Sequence, residues 1–173
     1  SSGDYSHGEG YNTSASGESS HAEGNQTIAS STYAHSEGWR TRAIDIASHA
    51  EGQYTTASGP SSHAEGSNTI ALRQASHAEG YYSIAIRYSS HAEGLYTITR
   101  GNYQHVQGAY NAISTNPNAF IIGNGVDDSN RSNLVYASGS QFQVTGSVSI
   151  TSVLTLTPNN PLPSAQPTGS ISV

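Results

Sequence analysis

The chain has 173 residues, only 34% of them apolar and many of those alanine, with six arginines, no lysine and twelve carboxylates, which argues against a nucleic-acid partner because no basic face can form. Without cysteine it has neither a disulfide framework nor a thiolate metal site. It contains no apolar run long enough to span a bilayer and no signal-like segment, and its low hydrophobicity would suit disorder were it not for a strict repeat.

Eight copies of one phrase organise the sequence. Ser20-His21-Ala22-Glu23-Gly24 returns almost unchanged from Ser48, Ser62, Ser76 and Ser90, and the eight histidines fall fourteen residues apart without insertion or deletion. A repeat that regular is a structural unit. A second half is visible within it, as in Thr27-Ile28-Ala29-Ser30 and Thr69-Ile70-Ala71-Leu72. Alternation with period two puts Ser20, Ala22 and Gly24 on one strand face and His21 and Glu23 on the other, and sets Thr27 and Ala29 opposite Ile28 and Ser30. Glycine or β-branched residues in every half, with no apolar stripe, exclude helix. The expected fold class is therefore all-β. It is a parallel β-roll, or solenoid, of fourteen-residue coils about 4.8 Å apart, with eight coils over residues 1–117 and only Ser, Thr, Ala and Gly inside.

Such a narrow interior bears on assembly. Burying a methyl-sized group gives about 0.8 kcal/mol, whereas fixing one residue's backbone costs about 1 to 2 kcal/mol. Coil-on-coil interfaces recover part of the difference, and the remainder calls for an outer face buried against other chains.

Small-X-Ala-X-Gly units at this spacing resemble the head repeats of trimeric autotransporter adhesins, whose motif reads Asn-Ser-Val-Ala-Ile-Gly. The His-Ala-Glu-Gly version resembles repeats of bacteriophage tail and head fibres, and the likeness covers about residues 6 to 125. It implies a left-handed roll, a homotrimer, small residues inside each roll, and alternate positions of one strand facing the three-fold axis. Where the adhesin motif has Val and Ile this sequence has His and Glu, so the resemblance does not carry over an apolar seam.

Uniformity among the copies distinguishes the two outer faces. The histidines (His7, His21, His35, His49, His63, His77, His91, His105) never vary, and the glutamates (Glu9, Glu23, Glu37, Glu51, Glu65, Glu79, Glu93) change only in the last copy, to Gln107. The positions matching Ile28 drift through Ser14, Arg42, Thr56, Ile70, Ile84, Ile98 and Ala112. A packed seam resists drift, so His and Glu are expected at the trimer interface; the competing arrangement puts the Ile-bearing strand there. The expected role is a polar ladder that fixes register, with histidine pKa values raised and those of glutamate depressed if the ladder is charged. Three imidazoles converging on an axis would also suit zinc, nickel or iron, but the reading adopted has no metal and no cofactor. No catalytic residue is expected either, since His-X-Glu is not the zincin spacing and no serine stands out.

The turns carry the large side chains. Trp39, Tyr54, Tyr81, Tyr82 and Tyr96 are candidates for surface contact, together with Ile28, Ile70, Ile84, Ile98 and arginines such as Arg40 along the same edge, because Tyr, Trp and Arg are favoured in binding sites. The plainer account is that the rings cover strand ends.

After Asn116-Pro117 the pattern breaks. A ninth unit would put histidine at Ala119, and instead Ala119-Phe120-Ile121-Ile122-Gly123 forms the first continuous apolar run, suited to closing an open roll end over residues 118–133. The phrase Ala-Phe-Ile-Ile-Gly-Asn-Gly also resembles phage fibre proteins. Asp127, Asp128 and Arg131 are expected to brace the following loop, and Leu134-Val135-Tyr136, a turn at Ser138-Gly139-Ser140, and Gln141 to Val144 read as a hairpin. Residues 134–157 would form a β-rich trimeric neck that includes Val148, Ile150, Leu154 and Leu156, and 158–173 a proline-rich connector to a part of a longer chain.

The function expected is a non-enzymatic trimeric fibre segment on a virion or phage-like particle, at the virion surface or otherwise extracellular, holding a host-attachment surface outward. Its partners would be two further copies, other fibre or particle proteins and a host surface glycan or protein, without membrane insertion. The alternative is a cell-surface adhesin head of the autotransporter type, and the third reading is a metal-loaded trimer.

Overall fold

Small inward side chains alternating with larger outward ones turn each fourteen-residue unit into one coil of two strands. In the computed structural model, which describes residues 1–151, these are β1 (His7–Tyr11) and β2 (Ser14–Ala15), β3 (His21–Asn25) and β4 (Ile28–Ala29), β5 (His35–Trp39) and β6 (Arg42–Ala43), and β7 (His49–Gln53) and β8 (Thr56–Ala57). They continue as β9 (His63–Ala64) and β10 (Ile70–Ala71), β11 (His77–Tyr81) and β12 (Ile84–Ala85), β13 (His91–Leu95) and β14 (Ile98–Thr99), and β15 (His105–Ala109). Odd-numbered strands stack in parallel with His on His, Glu on Glu and Gly on Gly, and the even-numbered ones make a second parallel sheet of seven strands. The result is an all-β parallel solenoid of about eight coils, and no helix occurs among the described residues. The expected Leu154 and Leu156 and the proline-rich connector lie outside the described residues.

The core is a column of alanines. Ala22, Ala29, Ala43, Ala50, Ala57, Ala64, Ala71, Ala78, Ala85 and Ala92 are fully buried, joined by Thr27, Thr41, Thr55, Thr69 and Thr97. Several hydroxyls inside the column find a partner, whereas those of Thr27 and Thr55 have none. Ser36 meets Thr41 at 2.8 Å, Thr97 donates to Ser83 at 2.9 Å and Thr99 to Ser90 at 2.9 Å. The serine that precedes most of the histidines does a different job. Ser20, Ser48, Ser62, Ser76 and Ser90 each donate to the carbonyl three residues back, at 2.6 to 2.8 Å, and so close the turn that leads into the next long strand. In the eighth coil Gln104 replaces this serine and reaches further, donating to the carbonyls of Ser114 and Asn116 while accepting from the Arg100 N–H.

One inward assignment is corrected. Gly24 and its equivalents are not in the core; they are exposed, at φ near +100°, where the strand bends out of its pleat. A Cβ on Gly66 would stand 2.3 Å from the Gly80 carbonyl oxygen of the next coil. Glycine is thus required both by the left-handed backbone and by the approach of adjacent coils. Both turns of each coil also hold a non-glycine residue in the left-handed region, among them Gln26, Arg40, Tyr54, Tyr82 and Tyr96 at one turn and Tyr33, Ala47 and Tyr103 at the other. Each donates its N–H to a carbonyl of the preceding coil, as Tyr54 does to Trp39 at 2.9 Å, and this bond holds the conformation.

The roll does not stop with the last histidine. β16 (Phe120–Asn124) stacks in parallel on β15, but one inserted residue shifts the register so that Phe120, not Ala119, lies on His105. Ala119 and Ile121 are buried with Val106, and Tyr136 packs against them, so larger apolar groups close the end of the alanine column. β17 (Asn133–Ser138) then pairs antiparallel with β16, and β18 (Gln141–Val144) with β17, which ends the parallel stack. Arg131 braces the loop before them, 2.6 Å from Asp128 and donating to the Tyr96 carbonyl at 2.9 Å.

Gly66→Ala is expected to destabilise the chain by about 1 to 3 kcal/mol, the usual cost of forcing a side chain into a strained backbone position. Gly8→Ala, at the position that holds Ala22 in the next coil and with no contact to the new Cβ under 3.4 Å, is expected to be neutral or slightly stabilising. Thermal denaturation of the two variants side by side checks both.

Candidate functional site

In-register stacking converts a sequence period into continuous columns of side chains. On the outer face of the long sheet the imidazoles form one stack from His7 to His91, with ring centroids 4.5 to 5.1 Å apart and planes within 13° of parallel. His105 tilts 52° from His91 where the stack meets Phe120. Beside it runs the glutamate column, since each Glu lies two residues after its His on the same strand face. His Nε2 to Glu Oε2 distances are 3.4 to 3.8 Å, longer than a hydrogen bond. Exposure of the pair falls from 64% and 72% at His7 and Glu9 to 30% and 31% at His91 and Glu93, so the later coils shelter their side chains from solvent.

Seven of the eight histidines, all but His7, have a buried Nε2 with no hydrogen-bond partner within the chain. Leaving a buried polar atom unpaired costs on the order of 1 to 3 kcal/mol. The expectation of raised histidine pKa values is overturned here. Burial, and then repulsion from the neighbouring imidazoles, lowers the values of His35, His49, His77 and His105 despite the nearby glutamates, and brings His77 down to about 4. The physical reason is the register itself: charging one imidazole places a cation one coil from the next. The shift favours the neutral form of these four rings.

The turn residues gather in two groups along one edge. Trp39 and Tyr54 lie 4.9 Å apart with the Arg40 guanidinium over both rings, at 5.6 and 5.4 Å. Tyr82, Tyr96 and Tyr110 form a parallel stack at 4.7 and 4.8 Å, with Tyr81 edge-on to Tyr82. Trp39, Tyr81 and Tyr82 remain exposed, while Tyr54 and Tyr96 are half-buried. Ile28, Ile70, Ile84 and Ile98 do not join this edge. They form a half-buried column on the outer face of the short sheet, in register with Ser14, Arg42 and Thr56.

What sequence reasoning missed was the left-handed turn. Tyr, Arg and Gln are poor signals for that backbone, and only the recurrence of Asn at the equivalent Asn12 and Asn68 pointed to it.

The YadA head domain repeat model matches this chain twice, over residues 9–30 and 50–72. No curated protein and no solved structure matches it. Those two stretches are similar to YadA head repeats, the family the sequence resembled, and the match favours the adhesin alternative over the virion fibre, for which no comparison offers support.

Because the pKa values of His35, His49, His77 and His105 are depressed in the folded chain, the unfolded chain binds more protons between about 6.5 and the folded values. Stability is complete above that range and is lost as pH falls through it. The melting temperature should be level from pH 8 to 7 and decline from pH 6.5 toward 4, with a shallower decline in His77→Gln. A melting temperature that climbs on acidification would restore the charged ladder.

Proposed function

We propose that this chain is a structural, non-enzymatic segment of a trimeric adhesin head displayed at a cell surface or otherwise outside the cell, built as three left-handed rolls side by side. The YadA-type repeats carry this reading, and the nature of the core supports the association. A column of alanine methyls is a thin source of stability, and coil stacking leaves two long outer faces unpaired. We assign the His/Glu face to the seam, with His7, His21, His35, His49, His63, His77, His91 and His105 and the seven glutamates as its ladder. The support is that this face changes only at Gln107 across its His and Glu positions and holds part-sheltered imidazoles whose buried nitrogens lack partners, a deficit that groups from neighbouring chains can relieve. Residues 118–133 would then cap the roll, and the hairpin of β17 and β18 would begin a trimeric neck.

The edge away from the seam is the contact surface in this reading. Trp39, Tyr54, Tyr81, Tyr82 and Tyr96 offer flat rings to a glycan or protein of the host surface, held in place by one another and by Arg40. Rigidity of the coil stack keeps their spacing fixed, which favours repeated contacts along the fibre.

Sedimentation equilibrium of the purified chain is expected to give three times its 18.0 kDa mass. His49→Lys combined with His77→Lys should dissociate the trimer, whereas Thr56→Lys on the short sheet should leave it intact; the reverse result would move the seam to the Ile-bearing face, and a folded monomer would remove it. In adherence assays with beads carrying the chain, Trp39→Ala with Tyr82→Ala should lower capture by host cells at least tenfold at unchanged mass and melting temperature.

A further inference from the structure

The His/Glu columns have a geometric property that neither a ladder nor a contact surface requires. In the later coils the His63–Glu65, His77–Glu79 and His91–Glu93 separations from Nε2 to Oε2 are all 3.6 Å. That is too long for a hydrogen bond, yet two donors each about 2.0 to 2.2 Å from one tetrahedral cation stand about 3.3 to 3.6 Å apart. In three places a third donor lies close by: the ligand atoms of His63, Glu65 and His77, of His77, Glu79 and His91, and of His91, Glu93 and His105 all fall within 4.8 Å of one another. The Nε2 atoms of these four histidines are buried and unpartnered. Glu65, Glu79 and Glu93 also line an open groove with Gly80, Gly94 and Gly108, which gives a small cation a way in without unfolding a coil.

We infer that the C-terminal half of this column is a divalent-cation site of the zinc class, with one ion held by His63, Glu65 and His77 and a second by His91, Glu93 and His105. Two imidazoles and one carboxylate select a borderline transition metal over calcium or magnesium, which take oxygen donors. The third donor needs to close by about 1 Å for a bond near 2.1 Å; His105 is already turned 52° from His91, whereas His77, within 12° of parallel with His63, has to turn as the ion binds so that the ring lone pairs converge. The middle trio shares both imidazoles with its neighbours, and one nitrogen serves one ion. Two ions per chain is therefore the limit, not three. The first coils are excluded: His7 and Glu9 are 3.8 Å apart and mostly exposed, and no trio forms there among the described residues. Its donors belong to one chain but lie on the face assigned to the seam, so an ion there satisfies the same buried nitrogens that the proposed seam leaves to neighbouring chains.

The test is isothermal titration of zinc into the full 173-residue chain, prepared without a polyhistidine tag, with its mass measured separately. Two zinc ions per chain are expected. Glu65→Gln combined with Glu93→Gln should weaken uptake at least tenfold, and Glu9→Gln with Glu23→Gln, the same change on the same face, should leave uptake intact. Cobalt in place of zinc should give the visible absorption of tetrahedral nitrogen and oxygen coordination. No uptake at millimolar zinc, or uptake that the Glu65 and Glu93 changes do not alter, overturns the inference; a monomeric mass with two bound ions would overturn the trimer and leave the inference standing.

Discussion

Everything in this molecule depends on identical backbone segments stacking in register, one coil directly on the next. The carbonyl of one coil's glycine reaches the corresponding glycine of its neighbour so closely that a Cβ at Gly24, Gly38, Gly52 or Gly66 would stand 2.2 to 2.3 Å from it. That approach lets parallel hydrogen bonds of 2.8 to 3.0 Å run along both sheets and both turns. It also explains why the histidines keep a spacing of fourteen with no insertion: one extra residue breaks the column, and where one occurs, before Phe120, the repeat gives way to the end of the roll.

Register has a chemical cost as well as a structural benefit. A parallel in-register stack puts like beside like, which suits alanine, glycine and flat rings but penalises repeated charge. His35, His49, His77 and His105 meet this penalty by favouring the neutral form, through burial and mutual repulsion, and Glu65, Glu79 and Glu93 line an open groove. The tyrosines meet it differently, since stacked aromatic rings at 4.7 to 4.8 Å gain from the same spacing that would repel charges. The coil spacing thus selects which residue types can recur at each position.

A scaffold of this kind suits display. Its interior is too small to admit a ligand, so whatever it recognises must lie on its outside, and its two sheets offer faces of different character: one uniform and polar, one variable with isoleucine, arginine and threonine. The likeness of residues 9–30 and 50–72 to the YadA head domain repeat connects that architecture to adhesin heads, and the aromatic edge supplies chemistry for contact in the proposed role.

The sequence by itself determined the coil length, the strand positions, the small-residue interior and the two outer columns, because a strict period combined with alternation leaves one geometry open to His21, Ala22 and Glu23. It also located the hairpin after the roll, from its glycine turn between β-prone runs. Tertiary structure decided the rest. Gly24 reads as inward by alternation, but the approach of the next coil turns it outward. His77 reads as a candidate cation beside glutamate, but its neighbours one coil away lower its pKa instead. Those outcomes depend on distances between residues fourteen positions apart, and a pattern along one strand carries no information about how closely the next strand will lie.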